Sequence, residues 1–334
     1  MSGAAVRLEG VTKKYGDFVA VGDLSLTIPA GVIYGVLGPN GAGKTTTLRM
    51  INDIFAPDRG TIRLFGSLAP GRTVAPRIGY LPEERGLYPK MFVGEVLQFF
   101  GELRGLPRRE AGQRADRWLE RLGLAEWRKN RVQDLSKGMQ QKVQFAAALL
   151  HEPDLLILDE PWSGLDPINA EVLHDVVMEQ RGAGRTILFS THLMEQAEKM
   201  CDEVCIIARG KKVLEGPLDR IKRDAAGDRL VAVVFRDGVG SGAEVLADKT
   251  LVASQRERRG YLEVELAPGR DSSELLSRLV ARECSLRRFE LIEPSLHQIF
   301  VDRVGAEAAA DKSSRDDATA STRPASRAGS DPSR

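Results

Sequence analysis

The residues whose types and spacing speak most directly of chemistry are Gly38-Pro39-Asn40-Gly41-Ala42-Gly43-Lys44-Thr45. They satisfy the pattern G-x-x-x-x-G-K-[ST] at every required position, and a further threonine, Thr46, stands behind them. Glycines in such a run let successive backbone N–H groups turn inward around phosphate oxygens. Lys44 is then placed to reach the β and γ phosphates, and the Thr45 hydroxyl to ligate Mg²⁺. A glycine-rich turn alone is compatible with a purely structural role. Here an apolar stretch at 32–37 precedes the loop and a helical pattern at 47–52 follows it, and strand–loop–helix is the context that makes the pattern a nucleoside triphosphate site.

A second candidate is Asp159-Glu160, which closes the apolar run Leu155-Leu156-Ile157-Leu158. If that strand ends beside the phosphate loop, Asp159 holds Mg²⁺ directly or through water. Glu160 then lies next to the γ phosphate and accepts a proton from an attacking water. The competing reading is two acids that cap a strand for solubility. Tyr15 lies about one hairpin before the loop; it either stacks on a nucleotide base or is an ordinary strand tyrosine, and spacing does not decide. Ser136-Lys137-Gly138 reads as a capped helix start, a second anion-binding N-terminus that alone would be only a cap.

The elements that must position these residues alternate between strand and helix. Strands are expected at 6–15, 18–21, 24–28, 32–37, 61–66, 78–82, 155–159 and 186–190, with a turn at 57–60 and a terminal hairpin over 203–215. The continuous apolar strands at 155–159 and 186–190 suit the centre of a parallel sheet buried on both faces. Between 93 and 142 the apolar spacing changes to three and four residues, which reads as an inserted helical subdomain at about 90–150. After 223, strands at 229–235, 261–266 and 286–291, a helix over 272–283 capped by Ser272, and a helix at about 295–304 form a small α+β domain. From 306 to 334 the chain consists mainly of Ala, Ser, Asp, Arg and Pro, a composition expected to be disordered. The expected division is 1–222, 223–305 and the tail 306–334.

Composition excludes some partners. With 48 basic and 47 acidic residues the formal net charge is +1, so a nucleic-acid partner is not expected. Three cysteines fit a reducing compartment, and Cys201 and Cys205 read as buried structural thiols. The N-terminus lacks the pattern of a signal peptide, and no stretch approaches the ~20 apolar residues of a membrane span. Any membrane role needs spans from another chain.

In order, these motifs resemble the nucleotide-binding subunits of ATP-binding cassette (ABC) transporters. Leu135-Ser136-Lys137-Gly138-Met139-Gln140-Gln141 is similar to the family's signature sequence, with Lys137 where a second glycine and Met139 where a glutamine usually stand. The resemblance covers about residues 4–220. It implies an α/β P-loop NTPase fold of ABC type, with Tyr15 as the base-stacking aromatic and His192 as the switch histidine at the γ phosphate. It also implies Ser136 and Gly138 as phosphate-facing residues, Asp166 in a loop linking two sites, and Glu160 and Lys44 as catalytic groups. Thr45 and Asp159 become metal ligands, together with Glu83, which occupies the place of the usual glutamine and would alter coupling to the membrane partner. The region 229–305, with Glu293-Pro294-Ser295-Leu296-His297-Gln298-Ile299-Phe300, resembles the C-terminal extension of sodium-efflux-like and drug-efflux-like members.

The implied function is Mg²⁺-dependent ATP hydrolysis by a head-to-tail pair, this chain with a second copy or a paralogue. The pair drives a separately encoded membrane-spanning permease, as an exporter rather than an importer, from the cytoplasmic face of the membrane. A non-transport ABC ATPase acting on ribosomes or DNA is the alternative; the single ATPase unit, the absence of a long coiled coil and the balanced charge speak against it. A GTPase would require an Asn-Lys-x-Asp guanine reader, which the sequence lacks.

Overall fold

The structure is a computed structural model that describes residues 3–66, 68–84, 86–226, 229–240 and 242–304. The tail expected to be disordered, 306–334, lies outside these residues. Two antiparallel strands, β1 (Ala4–Tyr15) and β2 (Phe18–Pro29), open the chain, and β1 also pairs with β4 (Arg59–Leu64). The two short strands expected at 18–21 and 24–28 are one. The register against β1 shifts where Asp23 adopts φ 51°, so the break seen in the sequence is an irregularity inside a continuous strand. The turn expected at 57–60 is shorter, because β4 already starts at Arg59.

Between β2 and β4 lie β3 (Ile33–Leu37) and helix α1 (Lys44–Ile51). After β4 come β5 (Ile78–Leu81), then α2 (Val93–Leu103), α3 (Arg108–Arg121) and α4 (Lys137–Leu149) in the helical region. The chain continues as β6 (Leu155–Asp159), α5 (Pro167–Gly182), β7 (Thr186–Thr191), α6 (Met194–Met200), β8 (Glu203–Ala208) and β9 (Lys211–Pro217). A six-stranded sheet in the order β5-β6-β7-β3-β8-β9 is parallel except for β9, which closes it as an antiparallel hairpin partner of β8.

Strand alternation explains why β6 is apolar without interruption. Leu155 and Ile157 enter the core shared with β1, β2 and α1, while Leu156 and Leu158 enter the core shared with α2, α4 and α5. With both faces covered, all five residues of β6 are buried, and Asp159 arrives at its carboxyl end beside Ser190 of β7, whose next residue, Thr191, pairs with Leu37 of β3.

Helix α7 (Leu218–Ala226) leads to β10 (Leu230–Phe235), α8 (Gly242–Ala247), β11 (Val252–Arg258), β12 (Tyr261–Leu266), α9 (Ser272–Ala281) and β13 (Leu286–Leu291). These four strands form an antiparallel sheet in the order β11-β12-β10-β13. Val231, Val233 and Val264 pack beneath Val245 and Leu246 of α8 and Leu275 and Leu279 of α9. The cap of α9 is Asp271 rather than the expected Ser272: its carboxylate accepts the Ser273 N–H at 2.8 Å, which also places a negative charge at the helix N-terminus. Strand β11 and helices α7 and α8 had no counterpart in the sequence reading. A last helix over 296–304 returns to the side of the six-stranded sheet, where Leu296 and Ile299 join the core that contains Ala197 and Met200 of α6. The Leu296 N–H there donates to the Glu198 carboxylate.

Candidate active site

The loop between β3 and α1 is built around two glycines that no other residue can replace. A Cβ on Gly38, at φ 151°, would stand 2.1 Å from the Ile207 carbonyl oxygen; one on Gly43, at φ 104°, would stand 2.4 Å from that of Ala20. Gly43 is also the cap residue of α1 and offers no side chain, so the first amides of the helix face outward with the positive end of its dipole. The loop and its surroundings enclose a cavity of about 340 Å³ lined by Tyr15, Phe18, Ala20, Asn40 to Thr46, Glu83 and Glu160. Tyr15 stands half-exposed at its rim, its ring edge-on to Phe55 at 6.2 Å.

Lys44 is buried beneath this loop. Its Nζ donates to the carbonyls of Gly38 (2.8 Å) and Pro39 (3.2 Å) and lies 3.4 Å from Glu160 Oε1. Glu160 itself is 7% exposed and adopts φ 48°, a left-handed backbone for a residue that precedes a proline. Its N–H donates to the Ser190 carbonyl and hydroxyl oxygens, both at 3.2 Å. Its other carboxylate oxygen, Oε2, accepts from His192 Nδ1 at 3.0 Å. Strain of this kind persists where surrounding contacts over-determine it.

Asp159 sits one residue earlier, fully buried. One carboxylate oxygen, Oδ1, accepts from Thr45 Oγ1 at 3.0 Å and from Ser190 Oγ at 2.5 Å; the other, Oδ2, has no hydrogen-bond partner among the described residues. Burial pushes the Asp159 carboxyl up, against the two hydroxyls that favour its charged form. An orphaned carboxylate oxygen next to a threonine hydroxyl suits a hard divalent cation. Among the described residues no three His, Cys, Asp or Glu side chains converge on one point, so such an ion would take its other ligands from phosphate oxygens and water. Of the two glutamates after β5, Glu83 lines the cavity while Glu84 lies 3.9 Å from Arg49.

Ser136, Gly138 and Asp166 do not line this cavity. They form a separate group. Ser136 caps α4 through the Met139 N–H, and Asp166 caps α5 through the Asn169 N–H. The Asn169 amide lies against Gly138, where a Cβ would approach its Nδ2 to 3.1 Å. The Asn169 side chain also donates to Asp166 Oδ2, so the two helix starts touch.

Three features had no role assigned from the sequence, although Gln141 closes the signature-like stretch 135–141. Phe18 shares the rim with Tyr15. Gln141 and Gln144 are buried polar residues on α4. An exposed aromatic cluster follows β5: Tyr88 and Phe99 meet edge-on at 5.7 Å, with Phe92 and Leu103 also exposed. Only the last left a trace in the sequence, as aromatic residues beyond the apolar stripe of α2.

Residues 21–163 match the family model described as ABC transporter, and residues 216–304 match that of the ATP-binding protein DrrA1-3-like C-terminal domain. The chain is 42% identical over 299 residues to the uncharacterized ABC transporter ATP-binding protein YhaQ of Bacillus subtilis, covering 90% of this chain and 98% of that protein. It is 38% identical over 253 residues to Nod factor export ATP-binding protein I of Ralstonia nicotianae, covering 75% of this chain and 77% of the relative. Among solved structures, an ATP-binding subunit of an ABC transporter superposes with a TM-score of 0.60 at 32% identity, covering 66% of this chain and 92% of that one. Taken with the phosphate loop, the strand-end acids and the antiparallel C-terminal sheet, these likenesses place the chain in the family of ABC transporter ATP-binding proteins, with a DrrA-like C-terminal domain.

Proposed function

We propose that this chain hydrolyses ATP with Mg²⁺ at a site shared between two ATPase subunits, and so drives a separate membrane-spanning permease in export. The observation that carries this reading is the division of the site. One group of residues surrounds the cavity above Lys44, while Ser136, Gly138 and Asp166 form a second group that this cavity lacks. A head-to-tail pair supplies the second group of one subunit to the first group of the other.

In this reading the first amides of α1 and Lys44 hold the phosphates, and Lys44 exchanges its carbonyl partners for phosphate oxygens. Thr45 and Asp159 would hold Mg²⁺ with Glu83 nearby, and the ion would neutralise charge on the phosphates. Glu160 accepts the proton of the attacking water, and His192 fixes the orientation of that carboxylate through its 3.0 Å contact. Tyr15 and Phe18 offer ring faces to the base. The difference in contacts between open and closed pairs is what ATP exploits to shift the population toward closure.

The permease has to dock where hydrolysis can be sensed. No helix among the described residues is long and apolar enough to cross a membrane. The exposed rings of Tyr88 and Phe99, which meet edge-on, follow the Glu83 loop in the chain and, with the exposed Phe92 and Leu103, suit an apolar segment of a partner. The export direction rests on likeness to a relative named for Nod factor export and on the DrrA-like domain. Co-expression with candidate multi-spanning proteins tests the partner. Phe99→Asp is expected to abolish co-purification of the permease while leaving the ATP turnover of the isolated chain unchanged; retention of the permease by this variant would contradict the docking surface.

A further inference from the structure

Helix α4 buries two glutamines one turn apart, each about 5% exposed. A buried amide is costly unless its hydrogen bonds are made, and a methionine or leucine would fill the same volume without that cost. Both amides donate to main-chain carbonyls next to the candidate acids. Gln141 Nε2 donates to the Pro161 carbonyl at 3.2 Å, one residue past Glu160. Gln144 Nε2 donates to the Pro82 carbonyl at 3.2 Å and the Glu84 carbonyl at 3.0 Å, on either side of Glu83. The same helix starts at Ser136 and Gly138.

The backbone of Glu160 gives the Gln141 contact its weight. Glu160 combines φ 48° with a following proline, and a residue before proline ordinarily favours extended backbone. Its own N–H is tied to Ser190 on one side. On the other side the Glu160 carbonyl accepts from the Ser163 N–H and the Pro161 carbonyl, one peptide further on, is held by Gln141, so the turn is fixed before and just after this strained residue from different elements. A small rotation or slide of α4 moves the Gln141 donor and with it the Pro161 end of the turn.

We propose that Gln141 is a positioning residue for Glu160, making α4 the link between the two nucleotide sites of a dimer. The proposal rests on the shared-site reading given above. The start of α4 meets nucleotide bound to the other subunit, while Gln141 acts on the carboxylate of its own subunit. Occupancy of one site is thereby felt by the acid of the other. Gln144 ties the Glu83 loop to the same helix.

The test uses ATP-driven dimers assembled from two differently tagged copies of the full chain. In a dimer of Gln141→Met with Glu160→Gln, the only intact Glu160 belongs to the copy without the amide. Turnover there is expected to fall roughly 100-fold relative to wild type paired with Glu160→Gln, the cost of a misplaced catalytic group. The reciprocal dimer pairs wild type with a copy carrying both Gln141→Met and Glu160→Gln. Its intact Glu160 keeps its own amide and borrows only the start of the altered α4, so turnover is expected to stay within about two-fold of the reference. Equal losses in the two dimers, or a loss confined to the reciprocal one, would overturn the proposal by assigning Gln141 to the signature end instead. ATP affinity of Gln141→Met should match wild type. Failure to fold, or a melting temperature lowered by more than about 4 °C, would also overturn it, because Gln141 would then serve the fold. The wild-type dimer, run alongside, reads the shared-site ATPase reading separately.

Discussion

Lys44 Nζ stands 3.4 Å from Glu160 Oε1, with both side chains buried and the lysine also held by the Gly38 and Pro39 carbonyls. Phosphate oxygens compete directly for this ammonium. Lys44→Ala should lower ATP turnover by on the order of 100-fold or more, as removal of an electrostatic stabiliser does in other enzymes. Because Glu160 also loses its buried cation, the loss should appear in nucleotide affinity as well as in rate. Equilibrium binding of a fluorescent ATP analogue checks the first and steady-state hydrolysis the second; unchanged affinity would show that the ammonium does not meet the nucleotide.

The metal proposal concentrates on Asp159, whose Oδ2 is buried without a partner among the described residues while Oδ1 is held by Thr45 and Ser190. Asp159→Asn keeps the shape and removes the charge. It should weaken Mn²⁺ binding in the presence of nucleotide roughly 10- to 100-fold, measured by electron paramagnetic resonance. Chelation by EDTA should stop hydrolysis and added Mg²⁺ should restore it. Full activity in EDTA would contradict a metal role.

His151 provides a pH signature away from the cavity. It is partly buried, its Nε2 donates to the Ile78 carbonyl at 3.0 Å, and its Nδ1 has no partner among the described residues. Burial pushes the imidazole down to about 4, helped by the charges of Arg104, Arg114 and Arg185 and opposed by the Ile78 contact. The folded value lies below the ordinary one, so the unfolded chain takes up the proton first as pH falls. Stability is therefore unaffected above about pH 6.5 and is lost between there and about 4, by about 3 kcal/mol in all. His151→Gln, which keeps a donor for Ile78, should flatten that part of the melting-temperature profile relative to wild type. Parallel profiles would contradict the assignment.

The α/β fold and the order of its central elements were legible because each is encoded locally. The run 155–158 is apolar at every position, which only a strand covered on both faces explains, and the glycine loop announces its own geometry. What escaped depends on distant partners. The break at Gly22-Asp23 reads as a strand end, yet pairing with β1 carries the strand through Asp23 at positive φ. Strand β11 is rich in Gln, Arg and Glu because it is an edge with one exposed face, so its pattern is weak. The α9 cap passed to Asp271 because two adjacent capping residues compete, and the sequence does not rank them. Gln141 closes the signature-like stretch and Gln144 lies beyond it, and neither amide carries a role in the sequence; only the fold shows that they point inward at Pro161, Pro82 and Glu84. The phosphate-binding candidates could be named as a contiguous motif, whereas the contact of Glu160 with both Lys44 and His192 required three strand ends to meet.

The central claim is that two chains share each nucleotide between the Lys44 loop of one and the Ser136–Gly138 helix start of the other. The most direct measurement is the mass in solution of Glu160→Gln with ATP and Mg²⁺, by analytical ultracentrifugation. Binding without hydrolysis should hold the closed pair together, so the account predicts a dimer with ATP and a monomer with ADP or no nucleotide. A Glu160→Gln protein that binds ATP with Mg²⁺ and remains monomeric would contradict it.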